Sequence, residues 1–431
     1  MKKTDLTRRG FITRGCAAAS ATLAMPYIIP SSALGKDGVV APSERIIMGA
    51  IGIGGRGSAD FRAMLDQPDV QCAAVCDLKT VRLNAAKKAA DQKNGNSKCA
   101  TYKDFRKLLA RTDIDAVLIA TGPNWHSTLS MMAAQSGKDV YCEKPCAKNI
   151  VESLELAEVF ERTGRVFQAG TQRRSIAHFN FCAMVAQTGR LGKLTELHYR
   201  PSRWGWGQTG MTGWEAEQPL PKDPQFDWHF YLGPAAERPF NTKYLRGGGF
   251  EKGGGMLGYG VMEWGSHSVA ECQRANSADD TVPVEYHPMA KDGSATAVHA
   301  NGVKMIVRGT GWDEALSHCP VRYVGERGWV ETGDSGLVQA SSPDLIADRR
   351  RGIRGTDPSS HVRNFFNCVK TRGLTNANHF VACHSHIACA NTCTALFLKR
   401  KLRYDPVKHE FPGDEEANRF RSEARRAPWR V

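Results

Sequence analysis

One hexapeptide constrains this chain more than any other stretch of it. Arg45-Ile46-Ile47-Met48-Gly49-Ala50-Ile51 is a short apolar run of the kind that forms a buried parallel strand. Gly52-Ile53-Gly54-Gly55-Arg56-Gly57 follows at once, and Ser58 to Leu65 then carries a helical pattern. A G-x-G-x-x-G between strand and helix is a turn suited to a dinucleotide. Its first glycine makes the bend, its second admits a pyrophosphate, and its third lets helix and strand pack closely. Free N–H groups at the helix start face the phosphates. A second apolar run, Val70 to Cys76, ends in Asp77, twenty residues beyond Gly57. A carboxylate there accepts hydrogen bonds from the adenosine ribose hydroxyls and repels a 2′-phosphate. NAD is therefore the expected cofactor, with Lys79 and Arg82 nearby keeping NADP as the alternative.

The alternation continues downstream. Val81 to Ala90 has a helical pattern, Tyr102 to Leu109 reads as another helix, and Ala116 to Ala120 is an apolar strand. Thr121-Gly122-Pro123-Asn124-Trp125-His126 is the turn after it, followed by a helical stretch from Ser127 to Ser136. Asp139 to Cys142 is the next strand and ends in Glu143-Lys144-Pro145. Strands separated by helices imply a doubly wound parallel sheet, with ligands outside the carboxyl ends of its strands. After Val166–Gly170 the alternation fades into loops rich in glycine and tryptophan, with Trp204, Trp206, Trp214 and Trp228. Such rings either stack on sugars or fill a core or subunit contact.

Composition narrows the class. At 41% hydrophobic and 24% charged, the chain can bury a sizeable core, which excludes wholesale disorder and a multi-span membrane protein. The net charge of +14 is scattered, apart from Arg349–Arg351 with Arg354 and Lys399–Lys401 with Arg403. Neither run is interleaved with the aromatics that a single-strand binder uses, so no nucleic-acid partner is expected. Thr7-Arg8-Arg9-Gly10-Phe11-Ile12-Thr13-Arg14 resembles a twin-arginine export signal, and a small-residue apolar stretch runs from Cys16 to about Pro30. Residues 1–35 are thus expected to be a cleaved signal, delivering a periplasmic protein without a stable membrane anchor. Of 13 cysteines, those beyond Cys16 read mostly as small buried hydrophobes, because a chain with its own core needs no bridges. No C-x-x-C occurs, and nothing completes a site around Cys142/Cys146, Cys389/Cys393 or His361, His384 and His386, so no metal is expected.

Together, the glycine turn, Asp77, the Ala120-Thr121…His126 turn and Glu143-Lys144-Pro145 resemble the Gfo/Idh/MocA family. Its namesakes are glucose–fructose oxidoreductase, inositol dehydrogenase and a rhizopine-catabolism enzyme. The resemblance runs from about Arg45 to the C-terminus. The export signal, Asp405-Pro406 and the tail Gly413 to Asn418 are similar to its secreted bacterial members. Three positions depart from the family pattern. Gly122 stands where the family has a proline, which here is Pro123; Glu263 replaces the first Asp of D-x-G-x-H; and Ala270 replaces an Asp three residues after the histidine.

The resemblance implies an α/β fold: an N-terminal Rossmann domain over 44–168, then an α+β domain over 169–431 with a large, mostly antiparallel sheet for substrate binding and oligomerisation. It implies a cofactor site of Gly52, Ile53, Gly54, Gly55, Arg56, Gly57, Asp77, Thr121, Asn124, His126, Glu143 and Lys144. The implied reaction moves hydride between a secondary alcohol of a sugar or polyol and nicotinamide. His is the natural base for the hydroxyl proton, since its ordinary pKa is near neutrality, and a Lys⁺ stabilises developing charge on the oxygen. By resemblance His267 is the base and Lys144 the cation, with Glu263 orienting His267; Gln172, Arg246 and His267 meet the substrate. Two other readings stay open. One is a glycoside hydrolase that uses NAD transiently, by oxidation, elimination and re-reduction. The other is a cofactor-containing sugar-binding protein with degraded chemistry, prompted by Glu263 and Ala270. A homo-oligomer, dimer or tetramer, is expected in each case.

Overall fold

The computed structural model describes residues 40–202, 215–222, 226–245, 260–349 and 358–429. The chain divides into two units, 1–45 and 46–431. The first contributes one short 3-10 turn, Pro42–Glu44, to the described residues. The second contains both sheets.

Strand β1 (Ile46–Ile51) leads into helix α1 (Gly55–Leu65), and β2 (Val70–Cys76) into α2 (Thr80–Asn94). Next come β3 (Ala100–Tyr102), α3 (Phe105–Leu109), β4 (Ala116–Ile119), α4 (Pro123–Gln135), β5 (Asp139–Cys142), α5 (Ile150–Thr163) and β6 (Phe167–Ala169). The helix expected over Tyr102 to Leu109 is corrected here: its first residue ends an edge strand. Thr101 and Tyr102 pair with Val75 and Cys76, and the Asp104 carboxylate then accepts from Arg106 N at 2.9 Å and starts a shorter helix.

All pairings in this sheet are parallel, in the order β3-β2-β1-β4-β5-β6. Ile51 pairs with Cys76 and with Ile119, Ile119 with Cys142, and Cys142 with Ala169. The strand ends are therefore level, and the residues after them share one edge. The order reverses between β1 and β4, which is where a doubly wound sheet opens a ligand crevice.

A 3-10 turn, Gln172–Ser175, then leads to α6 (Ala177–Gln187) and β7 (Leu194–Tyr199). Short α7 (Trp228–Leu232) follows, then a π-type turn, Val261–Gly265, that runs directly into α8 (Ser266–Ala275). Strands β8 (Glu285–Tyr286), β9 (Ala295–Val298), β10 (Lys304–Val307), β11 (Val321–Gly325), β12 (Gly328–Thr332) and β13 (Val338–Ala340) precede α9 (Ser359–Thr371), α10 (His379–Leu398) and β14 (Leu402–Arg403). The second sheet has eight strands in the order β13-β12-β11-β7-β10-β9-β8-β14, and only β7 and β10 run parallel. Its core joins Leu197, Tyr199 and Tyr323 to Phe179 of α6, Val269 of α8 and Ile387 of α10.

Helix α9 belongs elsewhere. Val362, Phe365 and Phe366 pack with Ile46, Met48, Phe61 and Tyr141, so this late helix seals a face of the first sheet. Arg363 and Lys370 both pair with Asp69 at 2.6 Å, and Arg372 takes both oxygens of Asp139 at 2.6 and 2.9 Å. The twelve described cysteines are all buried and unbridged.

Candidate active site

The glycine turn is shaped by close approach. Gly52 has φ +81°, and a Cβ there would stand 2.7 Å from Thr121 N. A Cβ on Gly57 would lie 2.5 Å from Gly52 O and 2.9 Å from the Ala120 Cβ. Gly54 caps α1 without a side-chain bond, so the helix start keeps its N–H groups for a ligand. Asp77 closes the turn from β2: one oxygen accepts from Ile53 N at 2.7 Å, the other from Lys79 N at 2.8 Å. Its carboxylate thus builds the loop and still borders the cavity above it.

That cavity, about 580 Å³, lies along the carboxyl edge of the first sheet. Gly52, Gly54, Gly55, Arg56, Gly57, Asp77, Thr121, Asn124, His126, Glu143, Lys144, Gln172, Glu263 and His267 all line it. Ile53 is buried just beneath. Lys79 and Arg82 border the same wall. Arg246, Trp204, Trp206, Trp214 and the Gly253–Gly255 run lie outside the described residues. The dimensions, the uncapped helix start and the close-packed glycines fit a dinucleotide.

Several expected cofactor ligands hold the site together through their polar atoms. Asn124 donates from Nδ2 to Tyr231 O and Leu232 O at 3.0 and 2.8 Å, clamping α7 beside the cavity. His126 is buried, with Nδ1 at 2.7 Å from Pro145 O and Nε2 at 3.1 Å from Thr121 O. Burial lowers its pKa, so the ring is neutral and donates through one nitrogen only, Nδ1–H to the nearer Pro145 O. On the other side of the Glu143-Lys144-Pro145 turn, Cys146 N donates to His386 Nε2 at 3.0 Å, while His386 Nδ1 lies 2.6 Å from Ala382 O. Burial pushes His386 down to about 4. This histidine, suspected from sequence only in connection with metals, supports the lysine turn. Among the described residues no cluster of His, Cys, Asp or Glu could hold a metal.

Lys144 Nζ donates to Glu263 O at 2.7 Å and stands 4.8 Å from the Trp264 ring centroid. Glu263 therefore meets the lysine through its backbone, in the π-type turn. His267 sits one helical step on, in the first turn of α8, and is buried; among the described residues its Nδ1 has no hydrogen-bond partner. Burial first, then Arg173, Lys144 and Arg56, hold its pKa well below the ordinary value, leaving a neutral imidazole. Gln172 donates to Tyr141 Oη at 3.0 Å and to Glu143 Oε1 at 2.6 Å, so its amide nitrogen is committed beneath the cavity.

An ion pair on the cavity wall had not been anticipated from the sequence. Arg173 donates to both oxygens of Asp334 at 2.8 and 2.6 Å, and both residues line the cavity with His318. Asp334 N bonds His318 O, which joins the two loops. Arg173 follows Gln172 just after a strand end, and that position was the available signal; Asp334 and His318, from distant loops, had none.

Fold and site define a dinucleotide-binding protein with a second, mostly antiparallel sheet. The oxidoreductase family model for an NAD-binding Rossmann fold matches residues 46–171, and the C-terminal alpha/beta domain of the same family matches 193–431. The chain belongs to the Gfo/Idh/MocA oxidoreductase family. A glycosyl hydrolase family 109 protein of Saccharopolyspora erythraea is 34% identical over 126 residues, 28% of this chain and 27% of that one. An alpha-N-acetylgalactosaminidase of Shewanella oneidensis is 30% identical over 168 residues, 38% of this chain and 36% of that one. The matches thus span only 27% and 36% of these relatives' own length. Among solved structures, myo-inositol 2-dehydrogenase of Lactobacillus plantarum superposes with TM-score 0.60 at 17% identity, covering 84% of this chain and all of that one. Scyllo-inositol dehydrogenase of Lactobacillus casei, with NAD(H) and scyllo-inositol bound, gives 0.56 at 14%, covering 83% and 99%.

Proposed function

We propose that the protein is an NAD-dependent oxidoreductase of sugars or polyols, with Lys144 and His267 as its catalytic residues. One observation carries this reading: a lysine ammonium and a neutral, buried histidine line the same cavity as the glycine turn. A nicotinamide bound along the glycine turn would supply the hydride acceptor or donor. His267 takes the hydroxyl proton on its neutral imidazole, and Lys144, steadied by Glu263 O, turns its remaining N–H donors to the alcohol oxygen. Trp264 offers a flat apolar face, and Arg173, Asp334 and His318 offer donors and acceptors to neighbouring hydroxyls. Asp77 favours NAD over NADP by its charge, against Lys79 and Arg82. A homo-oligomeric state belongs to the same reading.

The partial likeness to proteins named glycosyl hydrolase family 109 supports a second reading in the same cavity. There, oxidation at one sugar carbon acidifies its neighbour, and elimination breaks the glycosidic bond. A panel of sugars, polyols and chromogenic glycosides incubated with NAD separates them. Net NADH formation identifies a dehydrogenase; aglycone release with only catalytic NAD identifies a hydrolase. Bound NAD with neither reaction would leave a sugar-binding protein and refute both catalytic readings.

A further inference from the structure

Beneath the glycine-rich loop lies a polar cluster that the proposed chemistry does not use. Asp60, on α1, is fully buried. Arg56, one turn before it, donates to both of its oxygens at 3.1 and 2.6 Å. The same Arg56 Nε lies 3.4 Å from Glu143 Oε1. Glu143 is buried too, and its other oxygen accepts from the backbone N of Lys144 at 3.2 Å. Asp60 Oδ2 and Glu143 Oε1 thus converge on one guanidinium nitrogen, Arg56 Nε. Two carboxylates buried against a single guanidinium leave one negative charge in excess of it, which one proton shared between them removes.

We propose that Asp60 is a positioning residue for the Glu143-Lys144 turn, acting through one proton that it shares with Glu143, and that the cofactor binds the form holding that proton. This rests on the cofactor part of the reading above. With the proton present, the pair and Arg56 together are neutral, and Glu143 stays between Arg56, Gln172 and the Lys144 amide. Without it, two buried carboxylates repel, Glu143 competes for the Lys144 ammonium, and an anionic dinucleotide meets an added negative charge.

The surrounding groups leave the pair as the place where a proton can be lost. Arg56 comes from α1, Tyr141, Glu143 and Lys144 from β5 and its turn, Arg173 from the following 3-10 turn, His361 from α9, His126 from α4 and His267 from α8. The three histidines are driven neutral chiefly by burial, and burial raises the Tyr141 hydroxyl well above its usual range. Burial also opposes charge on Glu143, but Arg56, Lys144 and its hydrogen bonds outweigh it and hold its pKa down. Burial, reinforced by Glu143, pushes Asp60 up to about 8.

The test is NAD affinity against pH, measured by calorimetry on the whole protein. For the unmutated protein, affinity should fall above about pH 8, by up to about tenfold per pH unit. Asp60→Asn keeps a donor towards Glu143 but cannot ionise, so its dissociation constant should not change over that range. Asp60→Ala should bind NAD more weakly at every pH. Infrared difference spectra provide a readout without ligand: a protonated-carboxyl stretch at neutral pH that Asp60→Asn lacks. A pH-independent affinity in the unmutated protein, the same decline in Asp60→Asn, or no such stretch would each overturn the proposal. Absence of NAD binding at any pH would instead overturn the cofactor reading beneath it.

Discussion

Lys144 and His267 reach the cavity from different elements, one after a parallel strand and one at the start of α8. Their separate anchoring predicts separable defects. Lys144→Met should lose most turnover while NAD still binds, because the phosphates face the glycine turn. His267→Ala removes a positioned base and should cost about 10²–10⁴-fold in kcat. Steady-state rates beside NAD titrations check both, and full activity of His267→Ala on a confirmed substrate would remove it from the mechanism. Asp60 carries a different prediction. Its folded-state pKa, about 8, lies above the ordinary 3.8, so the native state holds a proton that the unfolded chain has released. The stability it contributes is complete below about pH 4 and is lost as pH rises through 8. Asp60→Asn should therefore gain on the unmutated protein as pH rises; melting temperatures compared at about pH 5 and about pH 8.5 check the sign. A constant difference would show that Asp60 is ionised throughout.

At the scale of elements, α9 ties the two ends of the chain together. It lies late in sequence yet packs on the first sheet, with Phe365 fully buried against Tyr141. Phe365→Ala should cost about 3–5 kcal/mol, read from denaturant unfolding. A fragment of residues 46–171 alone should fail to unfold cooperatively, since the face under α9 would be bare; a sharp transition from that fragment would contradict this packing. The first sheet was largely legible in sequence because its strands are continuous apolar runs with glycine or acidic punctuation: Val70–Cys76 and Asp139–Cys142 match in full. The edge strand Ala100–Tyr102 was not legible, since three half-exposed residues give no period. Nor was the contribution of α9, because its apolar stripe does not say which sheet it covers. In the site, Gly57 and Asp77 could be read from local spacing. Asp334, His318 and Asp60 could not, because each acts through a partner distant in sequence or through a buried helix face that looks like ordinary core.

For the molecule as a whole, this connectivity bears on where it folds. The first sheet is sealed only once residues up to Thr371 are in place, so the glycine turn gains its full support late in synthesis. A dinucleotide can then be taken up only by an essentially complete, folded chain. We propose that Thr7 to Arg14 directs export of this folded, cofactor-loaded protein by the twin-arginine route, which accepts folded cargo. Replacing Arg8 and Arg9 together by Lys keeps the charge but removes the paired guanidinium groups. Cell fractionation should then find precursor in the cytoplasm, folded by protease resistance and releasing nucleotide on denaturation. Delivery to the periplasm at the unmutated level would show that the arginine pair is not an export signal. Cytoplasmic precursor that is protease-sensitive and free of nucleotide would show that loading does not precede transport.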